Sequence, residues 1–289
     1  MKLVCALALT ASALHAQAPS TDIYLVPLAG AGARLSLGAK NVTHRVGYDN
    51  QPSWTARSDG FFYTANVDGQ TDIYRYDLAD ARATRITDTP ESEYSPTVMP
   101  DGKSVSVVRV ERDSTQRLWA FPMAGGAPSL VLERIKPVGY HVWLAPDRLA
   151  LFVLGAPATL QLADRETGNA TVVAHHIGRT LLRVPGTKEF SFVQWEDSAA
   201  TKGMVNLFDP VSGKQRPIAP LLPGNEFYTW APDGTLLMGS GSVIYRWAAS
   251  AGWQPVGDLA SQGVTGISRM AVSPDGKWIA VVAAERATN

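Results

Sequence analysis

The sequence predicts an all-β protein: a six-bladed β-propeller of four-stranded antiparallel blades, with N-terminal outer strands pairing to C-terminal inner strands. Three features predict it. A hairpin-turn pattern recurs six times along the chain. Each copy is followed by two further strand-like runs. The chain also opens on the second half of one repeat and finishes on the first half of another.

The turn pattern is clearest in "YSPTVMPDGKSVSVVRV" from Tyr94, "FYTWAPDGTLLMGS" from Phe227 and "ISRMAVSPDGKWIAVVAA" from Ile267. Pro presets φ at the second turn position, Asp bonds its own backbone, and Gly accepts positive φ, so each copy reads as strand, tight turn, strand. Further copies begin at Gln51, Tyr140 and, in degenerate form, Arg179. Aligned on Asp59, Asp101, Asp147, Gly186, Asp233 and Asp275, the turns lie 42, 46, 39, 47 and 42 residues apart. The third has Arg148 in place of Gly, which alters its turn.

The two runs after each hairpin are plainest in "TDIYRYDLADARATRITD", Thr71 to Asp88. Ile73, Tyr74 and Tyr76 favour a strand, Asp80 and Arg82 a turn, and Thr84 to Thr87 a returning strand. Four strands at this period indicate a propeller. The stretch "TDIYLVPLAGAGARLSLG" resembles those outer strands but follows no hairpin, whereas Ile267 to Ala284 is a hairpin with nothing after it. The two halves make the sixth blade, and deleting the last fifteen or so residues is expected to abolish folding.

Composition narrows the function. The 289 residues carry 26 Lys and Arg against 26 Asp and Glu, with 45% apolar residues, so no basic footprint for nucleic acid or anionic membrane exists. "MKLVCALALTASALHAQAPS" has a basic start, an apolar stretch and small residues, the pattern of a signal peptide over 1–16, with cleavage at 18 as the alternative. The expectations are export to the periplasm or medium, one propeller domain over 19–285, a short 286–289 tail, no transmembrane anchor and a monomer. Cys5, the only cysteine, leaves with the leader, so no disulfide, thiol nucleophile or cysteine metal site follows.

"SPDGK", "MPDGK" and "APDG" before apolar strands, together with "DIYRYDL…TRITD", resemble the repeats of TolB-type propellers, which are related to WD-repeat proteins. The resemblance runs through essentially the whole chain after the leader and implies a six-bladed platform that binds proteins or peptides. TolB itself carries an α/β domain ahead of its propeller, and this chain has none there. Tethering through the Tol system is therefore not implied.

Enzyme signals are sparse. No Gly-x-Ser-x-Gly elbow occurs, since "GSGSV" fails at its last position. His175 and His176 are adjacent and point to opposite faces of a strand, which suits a blade-edge turn better than a metal. Asp68 and Asp72 in "VDGQTD" lack the spacing of a calcium loop and read as turn formers. Trp54, Trp143 and Trp230 precede their turns and read as wedges between blades; Trp253 and Trp278 also read as structural.

The informative positions are those before each innermost strand. Aligning on the turns gives Ser53, Ser95, His141, Thr180, Phe227 and Arg269, with neighbours that include Glu93, Tyr94, Tyr140, Arg179, Glu226 and Tyr228. In a propeller these residues converge on one mouth of the central channel. Mixed charge with aromatics suits a protein interface. The reading is an exported, non-catalytic module that binds a protein or peptide of the cell envelope through Glu93, Tyr94, Tyr140, His141, Arg179, Glu226, Tyr228 and Arg269, without cofactor or metal. The alternative is a hydrolase or lactonase-like enzyme, with a metal or with His141 near carboxylates doing acid–base work. A sugar-binding propeller is a third reading and would require exposed tryptophans.

Overall fold

The computed structural model describes residues 20–29, 34–35 and 38–285. The leader over 1–16 and the tail over 286–289 lie outside the described residues. Six antiparallel sheets form the ring. Blade one comprises Asp49–Trp54, Gly60–Val67, Gln70–Asp77 and Arg82–Arg85. Blade two comprises Ser92–Val98, Ser104–Val110, Gln116–Pro122 and Ser129–Leu130, and blade three Val138–Ala145, Arg148–Val153, Thr159–Asp164 and Ala170–His175. Blade four comprises Ile177–Arg183, Phe190–Trp195, Gly203–Phe208 and Gln215–Pro220, and blade five Tyr228–Trp230, Leu236–Ser240, Val243–Ala248 and Gly252–Asp258. The first strand of each blade touches the first strands of its two neighbours all the way round, so these six line the channel.

Blade six joins the two ends of the fold. Its inner strands are Arg269–Val272 and Trp278–Ala284, and the latter pairs with Thr21–Ala29 in a register running from Thr21 opposite Ala284 to Pro27 opposite Trp278. Arg34–Leu35 and Lys40–Asn41 add the outer edge. Ile23, Val26, Ile279, Val281 and Val282 are fully buried. The closure is thus as apolar as any blade interior, and it removes the free edge that an open ring would present.

The hairpin turns follow local chemistry, with one correction. Backbone N–H of Gly102, Gly234 and Gly276 donates to the carbonyl three residues earlier, and each glycine has positive φ. In blade one that place belongs to Ser58, at φ 57°, two residues before the Gly60 that the sequence pattern selects. Gly60 has another reason to be glycine: a Cβ there would collide with the Tyr76 carbonyl of the adjacent strand.

Tryptophans tie blades together through one recurring device. Trp143 Nε1 donates to Ser106 Oγ of blade two at 2.9 Å, and Ser106 Oγ donates to its own blade's Thr97 carbonyl at 3.2 Å. Trp230 Nε1 donates to Ser191 Oγ of blade four at 2.9 Å, and Ser191 reaches the Leu182 carbonyl at 3.3 Å. Trp54 has Ala280 where those serines stand, and its Nε1 donates straight to the Ala271 carbonyl at 2.9 Å. Trp253 likewise spans blades, donating to the Pro220 carbonyl at 2.8 Å, and Trp278 packs against the Trp54 and Phe61 cluster. Replacing Trp143 with Phe removes the donor and shrinks the buried ring, so it is expected to cost about 1 kcal/mol for the hydrogen bond and more for the space left behind. In a urea melt, Ser106→Ala should add little to that loss because both groups serve one network.

Candidate functional site

The last regularly paired residues of each inner hairpin fix which positions are equivalent: Trp54 with Phe61, Val98 with Val105, Arg183 with Phe190, Trp230 with Leu236, Val272 with Ile279 and, in blade three, Trp143 with Leu149, the last pair before the shifted Ala145–Arg148. Three residues upstream stands one ring of side chains, Gln51, Ser95, Tyr140, Thr180, Phe227 and Arg269. Ser95, Thr180, Phe227 and Arg269 stand where the sequence places them. Ser53 gives way to Gln51, because the first turn lies two residues earlier. His141 gives way to Tyr140, because blade three shifts register between Trp143 and Ala145. A one-residue slip turns a strand side chain to the other face.

That slip decides what His141 is. Its ring is buried between blades two and three, with Nε2 2.7 Å from Ser106 Oγ. Burial pushes its pKa down to about 3, so it is neutral at any physiological pH. Its hydrogen-bonding neighbour is a hydroxyl rather than a carboxylate. A Ser–His contact invites a nucleophile reading, but Ser106 is fully buried. The same serine–tryptophan pair also recurs at Ser191 and Trp230, where Tyr228 takes the histidine's place. Tyr228 is buried too, which raises its pKa. Both residues hold blades together.

Glu93 is also interior. It is fully buried at the blade one–two boundary, where Thr89 Oγ1 donates to its Oε1 and Arg109 Nε lies 3.4 Å away. Burial raises its pKa to about 7, against the pull of Thr89 and Arg109 and with the push of nearby Asp72. Asp72 is no turn former: it is buried, 2.8 Å from Arg85 and bonded by Thr87 Oγ1. Asp68, at φ 53°, does form a turn, whereas His176, at φ 57°, is a bend between blades three and four. Tyr94 is half-buried, its hydroxyl 3.4 Å from Thr71 Oγ1.

Arg179, Glu226, Tyr140 and Arg269 do converge at the mouth. Arg179 forms an ion pair with Glu226, whose Oε2 also accepts the Arg179 backbone N–H at 3.1 Å. Thr180 Oγ1 donates to the Glu226 carbonyl at 2.7 Å, locking blade four to blade five. Arg269 lies 3.8 Å from the Phe227 ring centroid and 5.4 Å from that of Tyr140, and its guanidinium reaches Tyr140 Oη at 3.4 Å. Blades six and three are opposite one another, so this arginine bridges the channel. Arg179 covers Phe227 as well, at 5.2 Å.

Below the ring the channel holds a cavity of about 140 Å³. Beside it, an open cleft of about 800 Å³ is walled by Trp195, Phe152, Phe227, Ile177 and Ile267. Arg179 and Phe227 line both spaces. The turn alignment passed over Tyr48, whose pKa rises to about 12 chiefly through burial, opposed by Arg269 and Arg179 and reinforced by Tyr140 and Tyr94. Correct placement of the first turn would have brought Tyr48 and Gln51 into view. Among the described residues no three His, Cys, Asp or Glu side chains gather in a way that could hold a metal. No helix of the described residues is long and apolar enough to cross a membrane.

Compared with family models and with curated proteins, the chain matches none. Solved structures match through the fold. A TolB-type structure from Agrobacterium tumefaciens has 14% identity and a TM-score of 0.71, covering 93% of this chain and 99% of its own. TolB from Acinetobacter baumannii has 13% identity and a TM-score of 0.59 over 91% of this chain, which spans 64% of that protein. A gluconolactonase from Xanthomonas campestris has 12% identity and a TM-score of 0.65, covering 93% of this chain and 99% of its own. At these identities the likeness is one of architecture, and the chain carries the six-bladed propeller fold of TolB-type proteins.

Proposed function

We propose that the protein is an exported, non-catalytic binding module that receives a protein or peptide segment at the mouth lined by Tyr140, Arg179, Glu226, Phe227 and Arg269. The signal-like stretch over 1–16 supports export, and the platform in this reading is one propeller domain over 19–285 acting as a monomer. The observation that carries the reading is the open cleft beside the channel, with an aromatic and aliphatic wall and Arg179 at its edge, next to the channel cavity that Arg269 lines. Aromatic residues and arginine are the types that dominate binding energy at interfaces. The acid–base alternative rests on His141 near carboxylates, and the buried, neutral His141 beside Ser106 gives it no support.

The test is affinity capture from a cell-envelope extract by the chain starting at Gln17, beside an Arg179→Ala/Phe227→Ala variant with an unchanged melting curve. A partner retained by the first and lost by the second, at least tenfold by titration, is the expected result. Equal retention would move recognition to another face. No partner on either would set the module reading aside.

A further inference from the structure

Arg269 differs from the other cations of the mouth. Arg179 is neutralised by Glu226, but among the described residues Arg269 has no carboxylate within ion-pair distance. Its guanidinium is held by π faces and one hydroxyl instead, from Phe227 on the neighbouring blade and Tyr140 on the opposite one. Stacking fixes the plane of the guanidinium while leaving N–H donors unspent. On the channel side, the Ser95 hydroxyl is buried without a partner. A stacked guanidinium without a carboxylate partner, with a buried hydroxyl lining the same cavity, is suited to a planar anion accepting hydrogen bonds.

The shape of the site says what bears that anion. The space that the ring lines, about 140 Å³, is small, whereas the adjoining cleft is several times larger and mixes aromatic and aliphatic side chains with polar ones. A chain passing through would not fit past an arginine that bridges the channel. A chain end would fit, with its carboxylate directed inward and its last side chain turned onto Phe227 and Trp195.

We infer that the mouth is a carboxylate-reading site, in which Arg269 takes the C-terminal carboxylate of a peptide whose final, apolar side chain occupies the cleft. This rests on the binding-module reading and narrows it to one chemistry. Arg269 would be a binding residue, and Tyr140 and Phe227 would position it.

The probe is N-acetyl-Gly-Gly-Phe with a free C-terminus, against the same tripeptide as its C-terminal amide, each titrated by tryptophan fluorescence and calorimetry. The acid is expected to bind at least about tenfold more tightly than the amide, the size of one charge-assisted contact. Arg269→Gln should remove the preference, and Arg269→Lys, which keeps charge but loses the fork, should restore part of it. Thermal melts confirm that each variant is folded. Equal binding of acid and amide, no binding of either, or a preference that survives Arg269→Gln would each overturn the assignment. The two readings fail separately. Envelope capture lost in Arg179→Ala/Phe227→Ala with an indifferent tripeptide removes only the carboxylate site. Acid-selective tripeptide binding without any captured partner removes only the protein module.

Discussion

A chain ending at Pro274 is expected to show no cooperative thermal transition. The deletion removes Trp278–Ala284, in which Ile279, Ala280, Val281, Val282 and Ala283 are all fully buried. The three branched side chains alone contribute about 6 kcal/mol of burial. The whole stability of such a domain is on the order of 5–15 kcal/mol. The deletion also strips partners from both sides: Thr21–Ala29 loses one edge and Arg269–Val272 loses its only hairpin partner. Two open edges in a ring that depends on closure leave blades one and five each short of one of their two neighbours. Calorimetry on the truncated chain and on full-length Val281→Asp, which places a charge in the same interior, should agree in losing the transition. A truncated chain that melts cooperatively near the parent's midpoint would show that the ring does not need its closing blade.

Much of this architecture is legible because its signals are local. Pro-Asp-Gly specifies a turn through its own backbone preferences, and six turns at a regular spacing specify six blades. The tryptophan wedges are legible for a related reason: large aromatics just before a turn have nowhere to go but the adjacent blade. The failures are equally specific. In blade one, Ser58 occupies the left-handed position that glycine usually marks, while the conspicuous Gly60 answers to a crowded backbone carbonyl. In blade three, an irregularity after Trp143 shifts the register, so His141 faces its neighbouring blade and Tyr140 the mouth. Periodicity of two separates the faces of a strand but does not say which face meets the channel. Glu93 turns inward for that reason, held by Thr89 four residues earlier and by Arg109 opposite it on the paired strand. The bridging Arg269 was found, but its partnership with Tyr140, 129 residues away, is a product of the ring alone.

Raising the pH from 5 to 8 is expected to lower the melting temperature, against the usual behaviour of carboxylates that gain partners on folding. Asp49 and Glu93 occupy equivalent places on adjacent blades, each two residues before its ring position. Asp49 is fully buried, beside Arg45, Asp22 and Thr43, and burial raises its pKa to about 6 despite Arg45. Glu93 stands among Thr89, Arg109, Asp72 and Thr87, with a pKa raised to about 7. In the unfolded chain both titrate near 4. The folded state therefore binds more protons between pH 4 and 7, so stability is fully present below about pH 4 and is lost as the pH climbs through 6 and 7. At 1.36 kcal/mol per pKa unit, the two together amount to about 6 kcal/mol at most. Carboxylates held low by hydrogen bonds, such as Asp77 and Asp164, act in the opposite sense only in more acidic solution, which sets the optimum near pH 4. Asp49→Asn/Glu93→Gln keeps shape and removes the titration, and its melting temperature should be nearly flat from pH 5 to 8. A parent protein equally stable at both ends, or a double variant with the parent's slope, would place the pH response elsewhere. The expected outcome would mean that the seams flanking blade one, rather than the mouth, are where the fold responds to pH.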